Sequence, residues 1–372
     1  MPWNKGSVLF EAAAGSGKTT LLTNLALKYR SDRVLFTTYT DENTEEIRSS
    51  FLRAARMPPS NIDLMPWFTF LLKHCVKPFL WHAGFGVDEV SGVLLVSQPS
   101  APRTRLGSVE HYLTADRKVY TDKLAELALY IDEQMQGAVI DRLKRIYDFV
   151  FIDEAQDLSG YDLELLEEFL RSGMNLVLAT DQRQATYHTN SSSKNGKYRE
   201  LGLRRFLEDR KLLDLCPVDD RTLSGCHRCN QSILDVANSL YPAMGAANCI
   251  RKDREEDRAL PPVHIVAKDD VEFYAKNWNP VALRYDVRTK VSGSFVIQNF
   301  GASKGRTYDR VLIFPTEGIR KWLQDKETEL STQTRAKLYV AITRAKYSVG
   351  FVGTRSFSEK TGLPLWERQP KP

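Results

Sequence analysis

Val8-Leu9-Phe10-Glu11-Ala12-Ala13-Ala14-Gly15-Ser16-Gly17-Lys18-Thr19-Thr20 is the stretch on which the reading of the whole chain turns. The apolar residues at 8–10 predict a buried strand, and residues 21–29 continue at once with helical spacing. A glycine turn held between a strand and a helix is built to take a phosphate. Gly15 and Gly17 let backbone N–H groups come close, Ser16 and Thr20 flank the anion, Lys18 adds a point charge, and the start of the helix favours negative charge. Thr19 offers a hydroxyl to a magnesium ion. Ala12 stands where the pattern usually has its first glycine.

A second signal lies further along, at Phe149-Val150-Phe151-Ile152-Asp153-Glu154-Ala155-Gln156-Asp157. Two acids close a fully apolar strand, the end at which open α/β sheets keep their ligands. Read by themselves, such acids also serve as helix caps. Following a phosphate loop, Asp153 is expected to hold Mg2+ and Glu154 to polarise an attacking water, so ATP and Mg2+ are the expected ligands.

Short runs of branched residues alternate with helix-period segments over most of the chain, which predicts an α/β protein with parallel sheets covered by helices. Strands are expected at residues 8–10, 33–38, 62–65, 149–152 and 176–180 of a first lobe, and at 263–266, 295–298, 311–314 and 348–352 of a second. In residues 161–171, Leu163, Leu166 and Leu170 share one helical face with Phe169 beside them, while Glu164, Glu167 and Glu168 are expected to face water. Between about 73 and 137 the strand rhythm stops, and Pro99, Ser100, Pro102 and Gly107 precede a helical stretch at 120–135. The expected organisation is a first lobe of residues 1–72 and 138–202, a small helical insertion at 73–137, and a second lobe at 203–372 with a short insertion at about 242–292. Residues 253–258 read as a solvated charged loop.

With 372 residues, 42% hydrophobic and 27% charged, the chain has room for two or three domains and the composition of an ordinary globular protein. The net charge of +5 suits a phosphate groove without requiring one. No leader precedes the first strand, and the longest apolar runs fall far short of the roughly 20 residues of a membrane helix, so a cytoplasmic protein with no membrane partner is expected. The five cysteines, Cys75, Cys216, Cys226, Cys229 and Cys249, are an odd, sparse set for an intracellular chain and read as reduced thiols, and the spacings of Cys216, Cys226, Cys229 and Cys249 match no zinc finger closely.

Asp153-Glu154-Ala155-Gln156-Asp157 is the second motif of the UvrD/Rep-like superfamily 1 helicases, and other segments resemble that family's motifs in order. Gly15 to Thr20 looks like the first motif and Thr37-Thr38-Tyr39-Thr40 like the next. Trp67-Phe68-Thr69-Phe70 resembles the aromatic segment near the DNA, and Asp181-Gln182-Arg183-Gln184-Ala185-Thr186-Tyr187 the third motif. Cys226-His227-Arg228 aligns with the family's Asn-Tyr-Arg, Ala302-Ser303-Lys304-Gly305 with the fifth motif, and Tyr339 to Lys346 with the sixth. The resemblance implies two RecA-like lobes that hydrolyse ATP between them. It implies that Gln184 senses the γ-phosphate, that Arg228 and Arg344 are arginines acting on phosphate, that His227 and Gly305 contact nucleotide, and that Tyr39, Trp67, Phe68, Tyr187, Ser303 and Lys304 contact single-stranded DNA.

Several positions depart from the pattern. No glutamine precedes Glu11, His227 replaces a tyrosine, Thr307 replaces a glutamate, and His188-Thr189-Asn190 follow Tyr187 in place of the usual aromatic and arginine. Only about 70 residues separate Arg228 from the fifth motif, so the large 2B insertion of full-size relatives is expected to be missing. Two readings stay open: a translocase and helicase moving 3′ to 5′ on single-stranded DNA or a 3′-tailed duplex, and an ATP-gated nucleic-acid sensor attached to a protein partner such as a nuclease or phage-defence complex. An unrelated P-loop kinase leaves the arginine and aromatic motifs without a purpose.

Overall fold

Six strands build the first sheet. They are β1 (Val8–Ala12), β2 (Val34–Thr38), β3 (Ile62–Pro66) and, after a small ribbon of β4 (Gly92–Leu94) and β5 (Lys118–Tyr120), β6 (Phe149–Ile152), β7 (Asn175–Thr180) and β8 (Val218–Leu223). Their spatial order is β3-β2-β6-β7-β1-β8, and the neighbours from β3 through to β1 are all parallel. β2 and β6 are buried along their whole length, which is why Val34-Leu35-Phe36 and Phe149 to Ile152 read as consecutive apolar residues and not as alternating ones. The computed structural model describes residues 6–55, 59–96, 98–186, 192–291, 293 and 295–368. The chain divides into two units, Met1–Ala12 with Lys18–Gln182 and Tyr187–Thr222, and Ala13–Gly17 with Arg183–Thr186 and Leu223–Pro372.

All five strands expected of the first lobe are present, and β8 is an addition. Its sequence, Val218-Asp219-Asp220-Arg221-Thr222-Leu223, is largely polar because it lies at an edge with most side chains in water, so no apolar pattern marks it. Leu9 N–H donates to the Pro217 carbonyl at 2.9 Å where the chain enters this strand. Residues 203–222 therefore belong with the first unit, and not with the second lobe expected to begin at 203.

The helix Tyr161–Arg171 has the expected bounds and buries Leu163, Leu166, Phe169 and Leu170. Glu167 corrects the amphipathic reading: it is buried, not solvated, with its carboxylate 2.7 Å from Arg171 and 3.2 Å from Arg210. A buried carboxylate is tolerated when two guanidiniums share it. Residues 73–137 also differ from an appended insertion. Leu80, Tyr112, Leu124, Leu127 and Ile131 join one hydrophobic core with Leu166, Phe169 and Trp67, so this segment is a flank of the first unit.

The second unit holds a short parallel pair, β9 (Gly225–Cys226) with β10 (Asn248–Cys249), and a five-stranded sheet. The latter comprises β11 (Val263–Ala267), β12 (Val281–Arg284), β13 (Ile297–Asn299), β14 (Tyr308–Phe314) and β15 (Ala345–Gly353), in the order β11-β15-β14-β12-β13 with every neighbour parallel. β11 and β12 fall inside residues 242–292, so that range supplies core strands and is not an insertion. Asn230 caps the helix Gln231–Asn238 by accepting from Ile233 N–H at 3.1 Å, and Ser331 caps Thr332–Thr343. Residues 253–258 are not wholly solvated either: Asp257 pairs with Arg251 through two bonds of 2.5 and 2.7 Å, and both side chains are buried. No helix among the described residues is long and apolar enough to cross a membrane.

Candidate active site

In the first unit, parallel pairing sets the carboxyl ends of β6 and β7 side by side, with β1 on the far side of β7. β6 delivers Asp153 and Glu154, and the helix Lys18–Ala26 opens on Lys18 and Thr19. Thr19 Oγ1 donates to Asp153 Oδ2 at 2.6 Å, and Lys18 Nζ lies 3.5 Å from Glu154 Oε1. Glu154 has φ +56°, a left-handed conformation that costs a non-glycine residue energy and is common where function dictates backbone. Its N–H donates to Asp153 Oδ1 at 2.9 Å, so one short turn presents both acids.

Burial, and next the Glu154 carboxylate, push the Asp153 carboxyl up to about 6, against the opposing pull of Lys18 and the Thr19 hydroxyl. The hydroxyl oxygen of Thr19 and the carboxylate oxygens of Asp153 are hard donors held together, the residue types that could hold Mg2+ together with phosphates and water. No group of three His, Cys, Asp or Glu side chains fit to hold a metal occurs among the described residues.

The raised carboxyl has a consequence for stability. Because the folded value lies above the unfolded ~3.9, unfolding releases a proton between about pH 4 and 6, and stability falls as pH rises through that interval. In magnesium-free buffer, Asp153→Asn is expected to be more stable than the parent above pH 6, with the gain shrinking towards pH 4. Urea melts across that range check it, and a gain that does not depend on pH would count against it.

In the second unit, the tip of the phosphate loop packs against the Cys226-His227-Arg228 turn. Gly15 has φ +69°, and a Cβ there would come within 2.7 Å of Arg228 Cβ and 3.0 Å of Cys226 Sγ, so only glycine fits. His227 N–H donates to the Gly15 carbonyl at 2.9 Å, and the residue is exposed. Ser16 Oγ is buried without a hydrogen-bond partner. A cradle closed to Cβ and an unsatisfied hydroxyl both fit a phosphate group.

Arg228 Nη1 donates to the Thr343 carbonyl at 3.0 Å. The buried Arg344 donates to the Val340 and Arg306 carbonyls, each at 3.2 Å, and through Nη2 to Gln184 Oε1 at 2.9 Å. The structure thus brings Gln184 and Arg344 into contact. Gly305 takes a left-handed turn at φ +81°.

The residues expected to meet nucleic acid are placed less uniformly. Tyr39 is half-buried, with its ring edge-on to that of Phe68 at 5.5 Å, and Phe68 is itself buried. Trp67 does not support the expected role: it is 1% exposed, packs in the first unit's core, and donates its indole N–H to Asp162 at 2.6 Å. A ring enclosed in this way has no free face for a base. Trp67→Ala is expected to destabilise the fold by about 3–5 kcal/mol, read from urea melts. A loss below about 1 kcal/mol would contradict the core role. Ser303 is likewise buried and donates to the Phe300 carbonyl at 2.7 Å, so its hydroxyl does not face a ligand. Lys304 is largely buried, and Tyr187 lies outside the described residues.

Some participants carry no advance assignment. Gln156 donates to the Glu154 carboxylate and accepts from Asp181 N–H at 3.1 Å, so it ties the acidic turn to the end of β7. Its place two residues after Glu154 was the available signal. Arg183 lies over the Tyr339 ring at 5.5 Å and donates to the Gly245 carbonyl, and Tyr241 OH donates to the Arg183 carbonyl. These contacts anchor the residue next to Gln184, and nothing in a linear pattern announces them.

Comparison with known proteins gives a family match over part of the chain: residues 4–186 match the model of an AAA domain. No curated protein matches the sequence. Among solved structures, the chain is similar to the Arterivirus nonstructural protein 10 (helicase), at 13% identity and a TM-score of 0.46, over 95% of this chain and 61% of that one. The complex of Arterivirus nonstructural protein 10 (helicase) with DNA matches at 14% identity and a TM-score of 0.45, over 96% of this chain and 62% of that one. The chain therefore spans less than two thirds of the length of those structures. Residues 4–186 are thus similar to an AAA domain, and with its phosphate loop and parallel sheets this α/β chain has the P-loop NTPase fold.

Proposed function

We propose that the chain is an ATP-driven motor on single-stranded DNA, of the UvrD/Rep-like superfamily 1 kind, moving 3′ to 5′. The observation that carries the reading is the pairing of Lys18 with Glu154 and of Thr19 with Asp153 at the ends of parallel strands. Gly15 against Arg228, and Gln184 against Arg344, support it in the second unit.

In this reading Lys18 and the loop amides hold the phosphates, Thr19 and Asp153 hold Mg2+, and Glu154 orients the attacking water. Bound Mg2+ offsets charge on the phosphate oxygens. Arg228 and Arg344 supply positive charge where negative charge develops, Gln184 links that response to Arg344, and the exposed His227 ring offers a platform for the base. Tyr39 with Phe68, and Lys304, are the remaining candidates for the DNA track. Sequence-tolerant stacking and backbone contacts suit a motor that must release and step.

A second reading, an ATP-gated nucleic-acid-binding subunit with little unwinding, is favoured by one observation. Residues 242–292 contribute β11 and β12 to the second sheet, so the described residues of that range belong to the core and not to a separate subdomain that would engage a duplex. ATPase rates with no polynucleotide, single-stranded DNA, duplex DNA and RNA, followed by displacement of a strand from a 3′-tailed duplex, test both. Strong stimulation by single-stranded DNA with displacement is the expected result. Stimulation without displacement selects the second reading, and turnover indifferent to every polynucleotide overturns both.

A further inference from the structure

We infer that Cys226 and Cys229 form a peroxide-reactive dithiol beside the phosphate loop, with Cys226 as the nucleophile and Cys229 as the resolving thiol. Only the predicted effect on turnover rests on the proposed ATPase. The chemistry of the pair stands on the local geometry.

β9 ends at Cys226, and the helix Gln231–Asn238 begins just beyond Cys229 and its Asn230 cap. In the tight turn between them, the N–H groups of Arg228 and Cys229 both point at Cys226 Sγ, at 3.4 and 3.3 Å. Two successive amides aimed at one atom make a backbone nest for an anion. The Cys229 thiol also bonds to that sulfur, and it lies 3.5 Å from the Thr343 carbonyl. These donors, the Cys229 thiol first, bring the Cys226 thiol down to about 6, whereas the same contact and burial raise Cys229. The two amides favour negative charge on the Cys226 sulfur while its neighbour is pushed the opposite way, the division of labour a resolving pair needs.

The other buried thiols provide an internal contrast. Cys75 and Cys216 are buried, and burial raises both, Cys216 to about 12. A thiol kept protonated reacts slowly. Cys226 and Cys229 are buried too, so the oxidant that suits them is one close to water in size, which hydrogen peroxide is.

The Cys226 thiolate attacks one peroxide oxygen, the O–O bond breaks, and the departing hydroxide takes up a proton to become water. Cys226 is thereby oxidised to the sulfenic acid. Cys229 gives up its proton and attacks that sulfur, the S–S bond forms, the S–O bond breaks, and a second water leaves. Two thiols and one peroxide yield one disulfide and two waters. A disulfide sulfur carries no charge for the nest to bind, so the Arg228 backbone and the turn packed on Gly15 lose the acceptor that shapes them.

The test is a hydrogen peroxide titration of the full chain, with peptide mapping alongside ATP turnover. The expected result is a Cys226–Cys229 disulfide that forms before any product appears at Cys75 or Cys216. Turnover should fall by an order of magnitude and return on adding dithiothreitol. In Cys229→Ser, basal turnover should persist while Cys226 stops at the sulfenic acid, trapped by dimedone. In Cys226→Ser, Cys229 should stay unmodified. If that variant fails to fold, the dimedone trap in Cys229→Ser decides the nucleophile by itself. A map with Cys226 unmodified while Cys75 or Cys216 is oxidised overturns the inference, and a disulfide that leaves turnover intact overturns only its predicted effect on the phosphate loop. The map reads the same whether or not the chain hydrolyses ATP, so failure of the proposed function is told apart from failure of the dithiol.

Discussion

Lys18→Ala and Glu154→Gln are expected to abolish ATP turnover by separable routes. The lysine supplies charge to the phosphates, so its loss should weaken nucleotide binding together with turnover. The glutamate acts on the water, so its amide should bind ATP about normally and cut turnover by about 10²–10⁴-fold. The ion pair seen here predicts a second difference. Lys18 Nζ sits 3.5 Å from Glu154 and also lowers the buried Asp153, so removing it leaves two crowded carboxylates without their cation. Lys18→Ala should lower the melting temperature of the ligand-free protein, whereas Glu154→Gln should raise it by removing one member of a like-charged pair. Binding and hydrolysis assays with melts on the same samples check both parts. Equal loss of ATP affinity in the two variants would contradict these roles.

Arg344→Ala carries the next largest expected effect, a fall of about 10³–10⁵ in turnover, if the guanidinium offsets charge on the transferring phosphoryl group. Arg344→Lys should not restore full activity, because a point charge cannot keep the planar set of bonds to Val340, Arg306 and Gln184. Arg228→Ala should behave similarly with a smaller cost in stability, since Arg228 is only half-buried whereas Arg344 is enclosed. Single-turnover ATPase assays with circular dichroism separate catalysis from folding. A folded Arg344→Ala protein with near-normal turnover would remove this residue from the proposed mechanism.

Some of this was legible in one dimension. Phosphate loops and strand-end acids are local devices, because a glycine turn, a lysine one residue on and a pair of acids after four apolar residues owe their meaning to the adjoining strand and helix. β2, β6 and β7 announced themselves because both faces of each are covered, which favours runs of consecutive apolar residues such as Val34-Leu35-Phe36 and Leu176-Val177-Leu178-Ala179. The edge strand β8 did not, since half-solvated positions accept Asp, Arg and Thr without penalty. The short β12 was missed as well, its four residues being too few to show a period.

The linear sequence determined that there is a P-loop NTPase domain, that its sheets are parallel, and which lysine, threonine and acids stand at the strand ends, because these follow from periodicity and short-range spacing. Only the tertiary structure decided that Trp67 is a core residue bonded to Asp162, that Glu167 is buried between two arginines, that residues 203–222 complete the first unit, and that Gln184 meets Arg344. Each of those outcomes depends on at least one partner between about 40 and 160 residues away or on the neighbour a strand acquires in the sheet. A side chain's burial is set by what packs against it, and a linear pattern records only the side chain's own chemistry.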